Sequence, residues 1–137
     1  MIRIIEGKKV LSLVQKAVSN AKREVLATMF LSEEIISPLP KSYHNLLRKK
    51  LKEGVRIKRL GFGSKVDYNL INKTYFVNSR NYFFRYTKKV EDYQRLIIID
   101  RKKIFFNVDG IFFESDNHQI VNIFSSYFLN LFKKGKS

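Results

Sequence analysis

The stretch DYQRLIIIDRKKIFFNVDGIFF, residues 92–113, decides the fold of this chain. Residues 96–99 are apolar at every position, which is typical of a strand buried on both faces. Asp100 and the three cations after it end this strand and predict a turn. Two more short apolar runs follow at 104–106 and 111–113, separated by turn residues at 107–110. We therefore expect these three strands to form the heart of one sheet.

The first third of the chain predicts strands alternating with helices. Residues 3–5 indicate a short strand, and apolar residues recur at helical spacing over 8–22. Residues 24–30 carry apolar residues at both odd and even positions, so both faces of a strand would be apolar, which favours an interior strand. We expect a loop over 31–39, and a loop that follows a strand end commonly borders a pocket.

A second helix and strand complete a predicted βαβ unit. The helix begins near Pro40 or Ser42, since proline suits a first turn and serine can cap one. It ends at Gly54, and residues 55–60 follow as a strand. Such a unit places its two strands parallel in one sheet.

The middle of the chain carries weaker signals. Gly61-Phe62-Gly63 predicts a turn, and this glycine pattern is too incomplete for a dinucleotide-binding fingerprint. Within 64–81 we expect a short helix at 66–71 and a short strand at 75–77. Residues 82–86 alternate as a strand, with Phe83 and Arg85 opposed to Tyr82, Phe84 and Tyr86.

The last element is a predicted amphipathic helix capped by Ser115, Asp116 or Asn117. Its expected apolar stripe is Ile120, Ile123, Phe124, Tyr127, Phe128 and Leu131. We therefore expect an α/β fold with a mixed sheet of about six or seven strands and helices on both faces. At this length we expect a single domain over 1–137.

Composition points to an anionic partner. Lys and Arg number 27 against 12 Asp and Glu, giving a formal charge of +15. Such an excess predicts attraction to nucleic acid or another polyanion, or to an anionic membrane surface; the alternative is a basic chain without a specific partner. With no cysteine and two histidines, we expect no metal site and no cofactor. No signal peptide or membrane-length apolar run is visible, so we expect a cytoplasmic location without membrane insertion.

The central stretch resembles a degenerate form of a known motif. The phospholipase D superfamily carries His-x-Lys-x-x-x-x-Asp, with a Gly-Ser pair at the start of the next strand. At that spacing this chain has Tyr93, Arg95, Asp100 and Asn107, the last followed by Val108. The element order is similar to one phospholipase D-like half. Residues 4–11 and the tail 120–132 are also similar to the effector domain of archaeal sugar-sensing transcription regulators of the TrmB type, which use this fold without its catalysis.

The resemblance implies a site without its catalytic imidazole. A phenol whose pKa is near ~10 is a poor substitute for histidine at neutral pH, so we expect no catalysis by Tyr93. Arg95 keeps a cation where the family binds phosphate, and Asp100 could orient it. Alternatively Arg95 forms an ion pair with Asp92 or Asp100, and Tyr93 is only a packing residue.

The two histidines and the clustered cations are the remaining candidate functional residues. We expect His44 and His118 to be exposed or capping residues. Basic residues interleaved with aromatic ones can hold phosphates and stack bases. The expected anion-binding or nucleic-acid-binding residues are Arg95, Arg59, Lys58, Arg80, Arg85, Tyr82, Arg101, Lys102 and Lys103.

The resulting hypothesis is that the protein is a non-catalytic binding module for a polyanion, and that nucleic acid is the favoured polyanion. The resemblance also implies a homodimer, because superfamily members with one half often pair so that two sites meet. One alternative is a ligand-sensing effector domain of a transcription regulator that binds a small sugar or anion. Another is a residual phosphodiesterase or nuclease.

Overall fold

The computed structural model describes residues 1–76 and 78–137, and in this part of the chain seven strands form one sheet. The strands are β1 Ile2–Ile5, β2 Glu24–Phe30, β3 Arg56–Phe62, β4 Tyr82–Thr87, β5 Leu96–Ile99, β6 Lys103–Val108 and β7 Ile111–Ser115. The helices are α1 Gly7–Ser19, α2 Leu31–Ile36, α3 Lys41–Lys52, α4 Lys65–Thr74 and α5 His118–Lys134, with a 3-10 turn at Val90–Asp92.

The sheet is mixed, in the order β1-β7-β6-β5-β2-β3-β4. β2, β3 and β4 run parallel to one another, while β5 lies antiparallel between β2 and β6. All four residues of β5 are buried, which confirms the central strand that the apolar run predicted.

Helices cover both faces of the sheet, as expected. The side chains of Val25 and Ile57 pack with those of α1 and α3, while Leu26 and Ile98 pack with α5. Because side chains alternate along a strand, each strand contributes to both layers. We call the side of the sheet that α1 and α3 cover the inner face, and the side that α5 covers the outer face.

Two local predictions in the first half of the chain were wrong. The expected loop at 31–39 begins with the helix α2, and Gly61 and Phe62 belong to β3 rather than to a turn. The Leu31 side chain occupies the space where a Cβ on Gly61 would lie. Glycine here serves close packing between α2 and the sheet, so its position is set by tertiary contacts.

Other differences concern short elements and helix faces. Tyr75 and Phe76 lie outside any strand, and Val77 of that predicted strand lies outside the described residues. The last helix buries Val121 and Ser125, while Ile123 is 66% exposed, so the buried stripe is rotated from the predicted one. Asn117 is the cap of this helix and accepts from the Ile120 N–H at 3.1 Å.

No helix in the part of the chain that the structure describes is long and apolar enough to cross a membrane.

Candidate functional site

The motif positions Tyr93 and Arg95 lie directly before the central strand β5. The Asn107 N–H donates to the Arg95 carbonyl at 3.2 Å, and the Thr28 hydroxyl donates to the Gln94 carbonyl at 2.6 Å. The segment is therefore held between β6 and β2, at the carboxyl end of β2.

The guanidinium of Arg95 is engaged by α2. Its Nη2 donates to both carboxylate oxygens of Glu33, and both side chains are about half exposed. The sequence predicted that a paired Arg95 would use Asp92 or Asp100, and this was wrong because the helix α2 was not foreseen. The Arg95 cation is thus partly neutralised within the protein.

Asp100 has a structural role at the other end of β5. Its carboxylate accepts from the backbone N–H groups of Lys22, Arg23 and Glu24 at 2.8 to 3.0 Å. Burial raises the pKa of this carboxyl, but the three backbone donors and Lys102 outweigh that effect and hold the pKa below its ordinary value of 3.8. Asp100 therefore joins the β5–β6 turn to the start of β2, and the expectation that it orients Arg95 was wrong.

Tyr93 is a packing residue in this arrangement. Its ring lies 5.2 Å from the Phe30 ring and 5.1 Å from the Phe62 ring, centroid to centroid. Burial raises the pKa of its phenol to about 12, although Arg95 acts in the opposite direction. The hydroxyl is therefore protonated at neutral pH.

A cavity of about 360 Å³ opens at the carboxyl end of β2, where the sequence predicted a pocket. It lies between the inner face of the sheet and helices α1, α2 and α3. Most of its walls are apolar, and the charged groups that line it are Arg59, Arg95, Glu33 and Glu34.

Arg59 and Tyr82 lie on the inner face beneath this region. Arg59 is only 3% exposed and donates to the Tyr82 hydroxyl at 3.4 Å. Both residues were expected to bind an anion or nucleic acid; Arg59 is buried on the inner face, whereas Tyr82 is partly exposed.

The two histidines differ in environment. His44 is buried, stacks on Tyr75 with ring centroids 4.1 Å apart, and lies 3.6 Å from a Glu34 oxygen. The expectation of an exposed or capping His44 was therefore wrong, since α3 turns it toward α2. His118 is exposed in the first turn of α5, as expected, beside Asn122.

Four cations gather on the outer face and beside it. We call Arg56, Lys58, Arg85 and Arg101, together with Phe83, the basic face. The Lys58 ammonium lies 5.8 Å from the Phe132 ring centroid, and the Arg85 guanidinium lies 4.6 Å from it. Burial lowers the pKa of Lys58, and the positive charges of Arg56, Arg101 and Arg85 lower it further against the opposing effect of Glu24. These like charges therefore act on one another.

Few carboxylates balance these charges. Of the four cations only Arg101 forms an ion pair within the described residues, with Glu24. Phe83 is 38% exposed, and the Arg56 guanidinium lies 5.8 Å from its ring centroid. Arg56 and Phe83 were not among the predicted site residues. The alternation of residues 82–86 already placed Phe83 on the same face as Arg85, and this signal could have found it.

The remaining predicted residues are dispersed. Arg80 and Lys102 are exposed, and Lys103 lies on the inner side of β6, 3.6 Å from a Glu114 oxygen. The Asn107 side chain accepts from the Gly110 N–H at 3.0 Å and so closes the β6–β7 turn.

Within residues 1–76 and 78–137, no three acidic or histidine side chains are grouped so that they could hold a metal ion.

No protein-family model matches this chain, and no curated protein matches it.

Comparison by structure identifies similar folds. TrmBL2, an archaeal chromatin protein that shows a novel mode of DNA binding, superposes with a TM-score of 0.76 at 16% identity, over 98% of this chain and 53% of TrmBL2. NucT from Helicobacter pylori superposes with a TM-score of 0.67 at 12% identity, over 100% of this chain and 97% of NucT. The fold is phospholipase D-like. This chain spans about half the length of TrmBL2, and at these identities the likeness concerns the fold.

Proposed function

We propose that this protein binds nucleic acid through the basic face and does not cleave it. The observation that carries the proposal is that the Lys58 ammonium and the Arg85 guanidinium lie 5.8 Å and 4.6 Å from one Phe132 ring centroid, with Arg56 on the same side of β3. Within the described residues Glu24 is the one carboxylate paired with the cations of the basic face. The cations therefore repel one another, and a polyanion relieves that repulsion when it binds.

The exposed ring of Phe83 supports nucleic acid as the polyanion. It stands beside Arg56, and Lys58 is its partner in the pairing of β3 with β4. A base can stack on an exposed aromatic ring while neighbouring cations hold the phosphates on either side. The expected residues Arg101 and Lys102 extend this surface along the β5–β6 turn.

The similarity to TrmBL2 supports the same partner. TrmBL2 is a chromatin protein that binds DNA, and nearly all of this chain superposes on about half of it. The net charge of +15 agrees with a contact made mainly to the phosphate backbone. Such binding depends strongly on salt and little on sequence.

The motif region supports binding without cleavage. Tyr93 stands in the position of the attacking histidine, but its phenol is protonated at neutral pH and its ring packs between Phe30 and Phe62. Arg95 is already paired with Glu33. We propose that Arg95 contacts phosphate only when Glu33 releases it, which makes it a secondary contact.

Fluorescence anisotropy with a labelled single-stranded oligonucleotide tests the interface. The variant Arg56→Gln/Lys58→Gln should weaken binding on the order of tenfold at low salt. The matched control Lys65→Gln/Lys73→Gln removes two exposed charges from α4 and should change affinity far less. Equal effects of the two variants would show that net charge alone drives binding.

Hydrolysis of an activated phosphodiester tests the absence of cleavage. We expect the wild-type protein and Tyr93→Phe to release product at the same background rate. A wild-type rate that Tyr93→Phe abolishes would identify the protein as a phosphodiesterase.

A further inference from the structure

Arg59 is a buried cation with too few partners. It lies in the middle of β3 with 3% of its surface exposed. Within the described residues its side chain makes one hydrogen bond, a long one of 3.4 Å to the Tyr82 hydroxyl, and it takes part in no ion pair. A guanidinium offers five N–H donors, and a buried charge is costly unless it is paired.

The nearest acidic groups are engaged elsewhere. Glu33 accepts from Arg95, while Glu34 accepts from the Leu39 N–H at 3.5 Å and lies 3.6 Å from His44. Tyr43 stands beside Arg59 at the cavity wall, and its hydroxyl makes no hydrogen bond to the part of the chain that the structure describes. Arg59 and Tyr43 thus present donors to the cavity.

Most of the remaining cavity lining is hydrocarbon. It includes Val10 and Val14 of α1 together with Ile97, Phe105 and Phe112 from the sheet. A volume of about 360 Å³ falls within the range of small-molecule sites, roughly 300–1,000 Å³. A ligand that fits both kinds of lining has an anionic headgroup and an apolar body.

We propose that this cavity binds a small amphipathic anion. Its headgroup, a carboxylate or a phosphate monoester, accepts hydrogen bonds from Arg59 and Tyr43, and its hydrocarbon lies against Val10, Val14 and Phe105. Both headgroups suit the forked geometry of a guanidinium. The site is on the inner face, so it is independent of nucleic-acid binding at the basic face.

Thermal melting and calorimetric titration with octanoate, octyl phosphate and octanol test the proposal. Octanol is the neutral control for the anionic headgroup. Arg59→Met removes the charge, and replacing a buried ionic group by an apolar one commonly leaves the fold intact. Lys65→Met is the matched control, since this exposed cation of α4 does not line the cavity. Ala27→Leu narrows the cavity without removing a charge, which keeps the test open if Arg59→Met does not fold.

Octanoate or octyl phosphate should raise the melting temperature of the wild-type protein and of Lys65→Met, whereas octanol should bind at least about tenfold more weakly. Arg59→Met and Ala27→Leu should each weaken binding of the anion at least about tenfold. The preferred anion identifies the headgroup. The proposal is overturned if neither anion binds the wild-type protein at millimolar concentration, if octanol binds equally well, or if both site variants retain wild-type affinity.

Discussion

The guanidinium of Arg95 donates to both carboxylate oxygens of Glu33, which joins the residue before the central strand to the helix α2. The cation at this position is therefore held by an internal carboxylate. In the basic face, Arg56 and Arg101 lie toward the opposite end of β5, and Arg101 is the one cation of the four that is paired with a carboxylate in the described residues.

Removing Glu33 should make Arg95 available to phosphate. Glu33→Gln is expected to tighten binding of a labelled oligonucleotide a few-fold and to add about one unit to the slope of log K against log salt. Glu91→Gln, at an exposed position, is the control for the change in net charge. A Glu33→Gln protein that binds no better than Glu91→Gln would show that Arg95 does not reach nucleic acid.

Loss of the Phe83 ring should distinguish single strands from duplexes. Stacking of one base contributes about 1–3 kcal/mol, and bases in a duplex are not free to stack on a side chain. Phe83→Ala should therefore weaken single-stranded binding by about 1 kcal/mol or more and change duplex binding less. Leu70→Ala, which removes an exposed apolar side chain from α4, is the control. Anisotropy titrations with both substrates would measure this, and an equal loss for both would contradict stacking.

Asp100 should make folding stability depend on pH. Its folded pKa is lowered, so its contribution is present above the ordinary value of 3.8 and is lost as pH falls through the folded pKa. Asp100→Asn should lower the free energy of unfolding by about 2 kcal/mol at pH near 7, since three backbone donors lose a charged acceptor. Urea denaturation measures this difference in the free energy of unfolding between the wild-type protein and Asp100→Asn. The difference should disappear in acid.

Asp109→Asn is the control for Asp100→Asn. Asp109 also has a positive φ, of 52° against 54° for Asp100, but it is exposed in the β6–β7 turn. We expect this variant to have wild-type stability at every pH. If Asp100→Asn lowers the free energy of unfolding by the same amount at every pH, the carboxylate charge of Asp100 does not stabilise the turn.

Gly61 should not tolerate a side chain. Gly61→Ala is expected to cost about 1–3 kcal/mol of stability, because the added Cβ overlaps the buried side chain of Leu31. In a double-mutant cycle, Leu31→Ala should recover part of that loss. Gly7→Ala, where nothing lies within 4 Å of the added Cβ, should be neutral or slightly stabilising. Additive losses in the cycle would contradict the contact.

The scaffold was predictable because its strands carry strong signals. The fully apolar run 96–99 is the central strand, and the observed strand β2 has the predicted bounds, 24–30. Local apolar periodicity and turn residues determine such elements, so they can be read without tertiary information.

The site was less predictable because it depends on tertiary contacts. The partner of Arg95 lies 62 residues away on a helix that sequence periodicity did not indicate. Asp100 and Tyr93 match a motif by spacing, yet their roles are set by backbone donors and neighbouring rings from other elements. Arg59 and Lys58 are adjacent in sequence, and only the register of β3 assigns one to the inner face and the other to the outer face.

The salt dependence of oligonucleotide binding is the decisive measurement for the basic face. If the basic face holds phosphates, log K should fall linearly with log salt, and Arg56→Gln/Lys58→Gln should reduce that slope by about 2, while Lys65→Gln/Lys73→Gln leaves it nearly unchanged. A slope that neither variant alters, or an absence of binding at low salt, would contradict nucleic-acid binding through the basic face.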